Sequence, residues 1–77
     1  MNVIRRVRRD LTAESLSVES RSMLEMMSHG ESNADIAVHL GTSEQNVKNA
    51  AKVIYDRLGA RNRANAVAIA MRLKWFA

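Results

Sequence analysis

The stretch GESNADIAVHLGTSEQNVKNAAKVIYDRLG, residues 30–59 of this 77-residue chain, predicts two helices joined by a short turn. Ser32 stands three residues before Asp35, a capping-box pattern that begins a helix. Gly41 follows the apolar residues of that helix and suits the left-handed conformation in which helices often end. Ser43 is placed to cap a second helix, which runs to the glycine that closes the stretch. The local signals therefore agree on a short helix, a turn and a longer helix.

The longer helix has one apolar side and one polar side. Its apolar residues recur at helical spacing, which is typical of a helix that buries one face: Val47, Ala51, Ile54, Tyr55 and Leu58. The other side carries two amides and two lysines: Gln45, Lys48, Asn49 and Lys52. A short helix, a glycine-containing turn and a longer helix with such a polar face are typical of a helix-turn-helix.

The stretch and the residues that follow it resemble the LuxR-type (GerE-type) DNA-binding domain. The shared pattern is GxSNxxIAxxLxxSxxxVKxxxxxIxxxLGxxxRxxAV, which begins at Gly30 and ends at Val67. The resemblance covers about residues 16–72, with caps, apolar stripe and basic face in register. It implies an all-α, four-helix bundle-like helix-turn-helix domain. We predict four helices, near 17–29, 33–40, 44–58 and 63–74.

Length and composition leave room for one small domain. The chain has no Cys and no Pro, so neither disulfides nor Cys-ligated zinc can stabilise it. No apolar run approaches the ~20 residues of a membrane span, and no signal-peptide pattern opens the sequence. We therefore expect a cytoplasmic protein associated with the bacterial nucleoid and no membrane partner. We divide the chain into residues 1–15, a basic N-terminal arm or linker, and residues 16–77, the helix-turn-helix domain.

Charge is unevenly distributed along the sequence. The net charge is +4, but residues 1–10 carry +3, residues 11–40 carry −4 and residues 41–77 carry +5. Phosphate would attract the two basic segments and repel the acidic one between them. The segregation favours a polyanion bound on one side. Without the motif, basic residues that merely solvate the helix surfaces would explain the charges equally well.

The resemblance puts base-reading residues at Lys48, Asn49 and Lys52. Lysine can reach guanine O6 and N7 or a phosphate, and asparagine can pair with adenine N6 and N7. Ser43 and the free N–H groups at the helix N-terminus suit a phosphate, and Val47 packs either inward or against a thymine methyl. The full set of expected DNA contacts is Ser43, Gln45, Asn46, Val47, Lys48, Asn49, Lys52 and Arg57.

Three residues depart from the family pattern. Ser20 replaces the glutamate that usually ties the first helix to an arginine, here Arg63, and Glu19 is the candidate substitute for that tie. Asn46 replaces a frequent threonine and Ala50 a frequent histidine, at positions that usually help to hold the phosphate backbone. Because alanine cannot donate a hydrogen bond, we expect some affinity to be missing.

The last helix is expected to be capped by Asn62 and to form a homodimer contact, as this helix commonly does in the family. The residues expected to face outward are Asn65, Ala68, Ile69 and Arg72. The alternative is that Ile69 and Leu73 complete the core of the monomer. The predicted core comprises Leu24, Met27, Ile36, Ala37, Leu40, Val47, Ala51, Ile54, Leu58, Val67 and Ala70.

The residue pattern contains no catalytic or metal-binding constellation. His29 and His39 lie on different elements, and no carboxylate pair or metal-ligand spacing accompanies them. We predict no enzyme and no cofactor. The first hypothesis is a sequence-specific double-stranded DNA-binding transcription regulator that acts as a homodimer. The alternatives are an antiactivator that sequesters a partner transcription regulator through protein contacts, and a module that contacts promoter DNA and RNA polymerase.

Overall fold

A computed structural model describes residues 16–75 and contains four helices and no strand within that range. In chain order the helices are α1 Val18–Ser28, α2 Asn33–Leu40, α3 Glu44–Leu58 and α4 Arg63–Arg72. The all-α fold is confirmed, and each predicted helix is present with ends that differ by at most two residues. The basic arm predicted for residues 1–15 lies outside the described residues.

A side-chain cap begins every helix in the described part of the chain. In each case the cap oxygen accepts a hydrogen bond from the backbone N–H three residues later, which satisfies one of the free donors of the first turn. The four caps and their N–H···O distances are Ser17 with 3.0 Å, Ser32 with 3.1 Å, Ser43 with 3.0 Å and Asn62 with 2.8 Å. Each cap contributes roughly 0.5–2 kcal/mol to helix stability.

Two glycines end the helices on either side of the turn. Gly41 has φ of 67° and Gly59 has φ of 68°, in the left-handed region where a Cβ is unfavourable. The N–H of Thr42 donates to the carbonyl of Ala37 at 3.0 Å, which closes a Schellman motif at the end of α2. The α2–α3 turn is therefore determined by residues within the turn itself.

The core lies where α3 packs against the other three helices. Thirteen residues of the described range form one buried apolar cluster: Leu16, Met23, Leu24, Met27, Ile36, Ala37, Val47, Ala51, Ile54, Leu58, Ala66, Ile69 and Ala70. No polar or charged residue of that range is buried. Leu40 and Val67, predicted as core, are only half-buried and pack against the edge of the cluster.

Ile69 corrects the orientation predicted for α4. It is 8% exposed and belongs to the core, so the expectation that it faces outward is wrong. Residues three and four apart share a helix face, which puts Ile69 beside Ala66 and Ala70 on the buried side. The alternative in which Ile69 completes the monomer core is the one that the structure confirms, whereas Leu73 is 41% exposed.

Arg63 links α4 to the start of α2 instead of to α1. Its Nη1 donates to the carbonyl of Glu31 at 3.1 Å, and its Nη2 donates to Oδ1 of Asn33. Glu19, the candidate partner suggested by the sequence, is exposed. Arg63 therefore joins the last helix to the loop before α2 and to the first residue of α2.

Candidate nucleic-acid interface

The exposed side of α3 gathers almost all the residues expected to contact DNA. Every fourth or third residue of this helix is buried, and the intervening ones are exposed except for Ala50 and Tyr55, which are half-buried. The exposed members of the expected set are Ser43, Gln45, Asn46, Lys48, Asn49, Lys52 and Arg57. We call these residues the α3 polar face.

Val47 does not belong to the α3 polar face. Its side chain is 1% exposed and lies in the core with Ala51 and Ile54. A contact with a thymine methyl would require an exposed side chain, so the structure supports the inward alternative. Val47 is therefore removed from the expected set of DNA contacts.

The start of α3 is held by two hydrogen bonds that involve Asn46. Its backbone N–H donates to Ser43 Oγ at 3.0 Å, and its Nδ2 donates to Thr42 Oγ1 at 2.9 Å. Ser43 can still donate its hydroxyl proton outward, and Asn46 retains its carbonyl oxygen and one N–H. The turn is thus pinned to the helix, while groups suited to a phosphate remain available.

Gln45 and Asn49 are paired on the α3 polar face. Gln45 Nε2 donates to Asn49 Oδ1 at 3.1 Å, and both side chains are exposed. This pair is absent from the predictions made from the sequence, in which each amide has a separate role. The signal was present, because residues four apart on a helix are neighbours and amide pairs at that spacing form hydrogen bonds.

Lys48 and Lys52, together with Arg57, supply the positive charge of the α3 polar face. They lie one turn apart and are exposed, and neither forms an ion pair with any carboxylate in residues 16–75. Asp56 lies on the same exposed side, one turn beyond Lys52 toward the C-terminus, and was not identified from the sequence. The two lysines therefore lie in the middle of α3, between Glu44 in its first turn and Asp56 in its last. Arg57 is exposed in its last turn.

The three departures from the family pattern lie in one groove between α1 and the start of α3. Ser20, Asn46 and Ala50 line it, together with Glu19 at the first turn of α1. Its remaining lining residues are Met23, Leu40, Thr42 and Val47. Although these residues are up to 30 positions apart in the sequence, the fold brings them together beside the α3 polar face.

The residues predicted for the dimer contact lie in different environments on α4. Ala68 and Arg72 are exposed, whereas Asn65 is half-buried and its Oδ1 accepts a hydrogen bond from the backbone N–H of Arg61 at 3.0 Å. The exposed side of α4 also carries Ala64 and Met71, which the sequence analysis did not single out. Met71 is 53% exposed, which is high for a large apolar side chain.

Neither a metal-binding cluster nor a membrane-spanning helix occurs among the described residues. Within residues 16–75, no three His, Cys, Asp or Glu side chains are grouped so that they could hold a metal ion. No helix in that range is long and apolar enough to cross a membrane. His39 Nε2 lies 3.3 Å from Glu31 Oε1, a surface contact of two side chains.

The fold and the α3 polar face define a helix-turn-helix domain. Residues 14–70 match the family model of bacterial regulatory proteins of the luxR family, and the chain belongs to that family. It is 43% identical over 56 residues to the probable transcriptional regulatory protein SgaR of Hyphomicrobium methylovorum. That alignment covers 73% of the chain and 26% of SgaR, so the chain spans about a quarter of its relative. No solved structure matches the chain.

Proposed function

We propose that the chain is a sequence-specific double-stranded DNA-binding transcription regulator that reads the major groove with α3. The observation that carries this proposal is the α3 polar face, which displays amides and lysines on a helix fixed by its buried side. The 15 residues of α3 give a rod of about 22 Å. The major groove is wide enough to admit such a helix. Membership of the luxR family supports the same reading.

The roles within the α3 polar face follow from its donors and acceptors. Lys48 and Lys52 suit guanine O6 and N7 or a phosphate, and the amides of Gln45 and Asn49 suit base edges. The hydroxyl of Ser43 and the free N–H groups of the first turn suit a phosphate, because a helix N-terminus attracts anions. These phosphate contacts would orient the helix, and the base contacts would give the sequence preference.

We also propose that two copies of the chain associate through α4 on an inverted repeat. The exposed side of α4 supports this, since Ala64, Ala68 and Met71 form an apolar strip with Arg72 at its edge. Small residues let two helices approach closely, and a two-fold contact is self-complementary. This strip replaces the predicted contact through Ile69, because Ile69 is buried in the core.

A titration over a range of salt concentrations tests the proposed function. A duplex selected from a random pool should bind with log K falling linearly against log salt, because cations released from phosphates accompany binding. A scrambled duplex should bind more weakly by a factor of at least ~1,000 if the protein is specific. Weak binding that is equal on both duplexes would contradict the proposal and favour the antiactivator alternative.

A further inference from the structure

The paired amides of Gln45 and Asn49 form a preorganised row on the α3 polar face. The 3.1 Å bond between them is within the normal range for N–H···O and joins two exposed side chains. Each amide carries two donor hydrogens and one oxygen with two lone pairs. The mutual bond uses one hydrogen of Gln45 and one lone pair of Asn49. Most of the hydrogen-bonding capacity of both groups therefore remains available to a ligand.

Donors and acceptors alternate along this row. From Asn49 toward Gln45 the order is the Nδ2 donor, the Oδ1 acceptor, the Nε2 donor and the Oε1 acceptor. If the two amides donated in the opposite sense, the same order would be read from Gln45 toward Asn49. The donor–acceptor–donor run is therefore a property of the pair and does not depend on which amide donates.

This run is complementary to one kind of base pair. Across the major groove an A·T pair presents the adenine N7 acceptor, the adenine N6 donor and the thymine O4 acceptor. A G·C pair presents two acceptors and then a donor, so an acceptor of the row would meet guanine O6. The A·T order is the same from either side, and the row therefore fits A·T and T·A by hydrogen bonding.

We propose that Gln45 and Asn49 act as a single reading element that selects an A·T pair in either orientation. The inference rests on the proposed DNA-binding function. It differs from two independent amide contacts, because each amide holds the other in the orientation that the base pair requires. Loss of either residue should then remove contacts made by its partner.

Selection from random duplexes by the full 77-residue chain gives the first test. The wild type should enrich one position of each half-site for A·T in either orientation. The ratio of dissociation constants between G·C and A·T there should be about 5- to 100-fold, the range of one good bidentate contact. A Gln45→Ala/Asn49→Ala double variant should lose this preference, and Val38→Ala, at an exposed apolar residue of α2, should keep it.

Base analogues at the enriched position then assign the contacts atom by atom. Replacing adenine with 7-deazaadenine removes the N7 acceptor, and replacing thymine with 4-thiothymine weakens the O4 acceptor. Each should weaken wild-type binding roughly 3- to 10-fold, the loss of one hydrogen bond. Gln45→Ala and Asn49→Ala should each abolish both effects, because the amide that remains loses the partner that orients it.

The possible failures are distinguishable. Two results would overturn the coupled reading while duplex binding stays specific and salt-dependent. One is enrichment of G·C at the position. The other is that the two single variants alter two different base positions independently. Retention of the 4-thiothymine effect in Asn49→Ala would overturn it as well. If the wild type enriches no duplex at all, the proposed function fails and the coupled reading fails with it. Far-UV circular dichroism of each variant verifies that the helices remain folded.

Discussion

The lysines of α3 differ from its amides in what they can discriminate. The ammonium of Lys48 or Lys52 is a compact charge that any phosphate satisfies, whereas the amide of Asn49 has directional donors and acceptors. Both kinds of residue are exposed on the α3 polar face. The lysines should therefore contribute mainly to affinity on all DNA, and the amides to the difference between sequences.

We expect Lys48→Ala and Lys52→Ala each to weaken selected and scrambled duplexes by similar factors. Each should also lower the slope of log K against log salt by about one, because one phosphate contact is lost. Asn49→Ala is the contrasting variant, since it should reduce the preference for the selected duplex and leave the slope unchanged. Titrations at several salt concentrations measure both quantities. An unaltered slope in both lysine variants would show that neither residue meets a phosphate.

Truncation of the single side chain of Ile54 tests the packing of the core. It is 1% exposed, and truncation to alanine should lower the free energy of unfolding by about 2–5 kcal/mol through lost burial and a cavity. Its neighbour Val53 is 56% exposed, so Val53→Ala should change stability by no more than about 0.5 kcal/mol. Urea denaturation of the two variants measures the difference. Equal midpoints would contradict the assigned orientation of α3.

Single residues also show where sequence reasoning succeeds. The sequence predicts Ile54 and Leu58 to be in the core, because the apolar stripe of α3 fits only one orientation of the helix about its axis. The prediction that Ile69 faces outward is wrong because α4 is rich in alanine. Its apolar pattern is therefore weak and fits two orientations of the helix about its axis. The contact of Arg63 with Glu31 joins residues 32 apart and depends on tertiary packing. No local pattern could have revealed it.

At the scale of helices, caps made the boundaries predictable. Ser32 and Ser43 each bond to a backbone N–H three residues later, so the signal and the structure lie within the same turn. The end of α2 is equally local, since Gly41 adopts φ of 67°. Elements with such local determinants are predicted well, whereas contacts between elements require the fold.

Replacement of Gly41 tests the turn that joins α2 to α3. No atom of the described chain lies within 4 Å of a Cβ added there, so the cost of Gly41→Ala should come from the left-handed backbone alone. We expect a loss of about 1–2 kcal/mol in the free energy of unfolding. Gly41→Asn should cost less, because asparagine tolerates this conformation better. Chemical denaturation compares the two, and a larger loss for Asn than for Ala would contradict the explanation.

The charges of the whole molecule are arranged in favour of an approach through α3. The described residues that precede the turn, 16–40, hold four acidic side chains and one Arg, whereas residues 41–75 hold seven basic and two acidic ones. Repulsion of phosphate by the acidic side chains of α1 and α2 would disfavour binding through the surfaces that those side chains line.

The proposed dimer is tested by charge placed on the strip of α4. Ala68 is exposed, so Ala68→Glu should leave the monomer folded while two carboxylates are forced together across the two-fold contact. Sedimentation should then show a monomer, and binding to an inverted repeat should lose its cooperativity. Ala34→Glu, the same change at an exposed alanine of α2, should leave the dimer intact. Ile69→Glu should instead unfold the domain, because it buries a charge in the core. A wild type that is already monomeric at high concentration and binds a single copy per site would refute the two-fold arrangement.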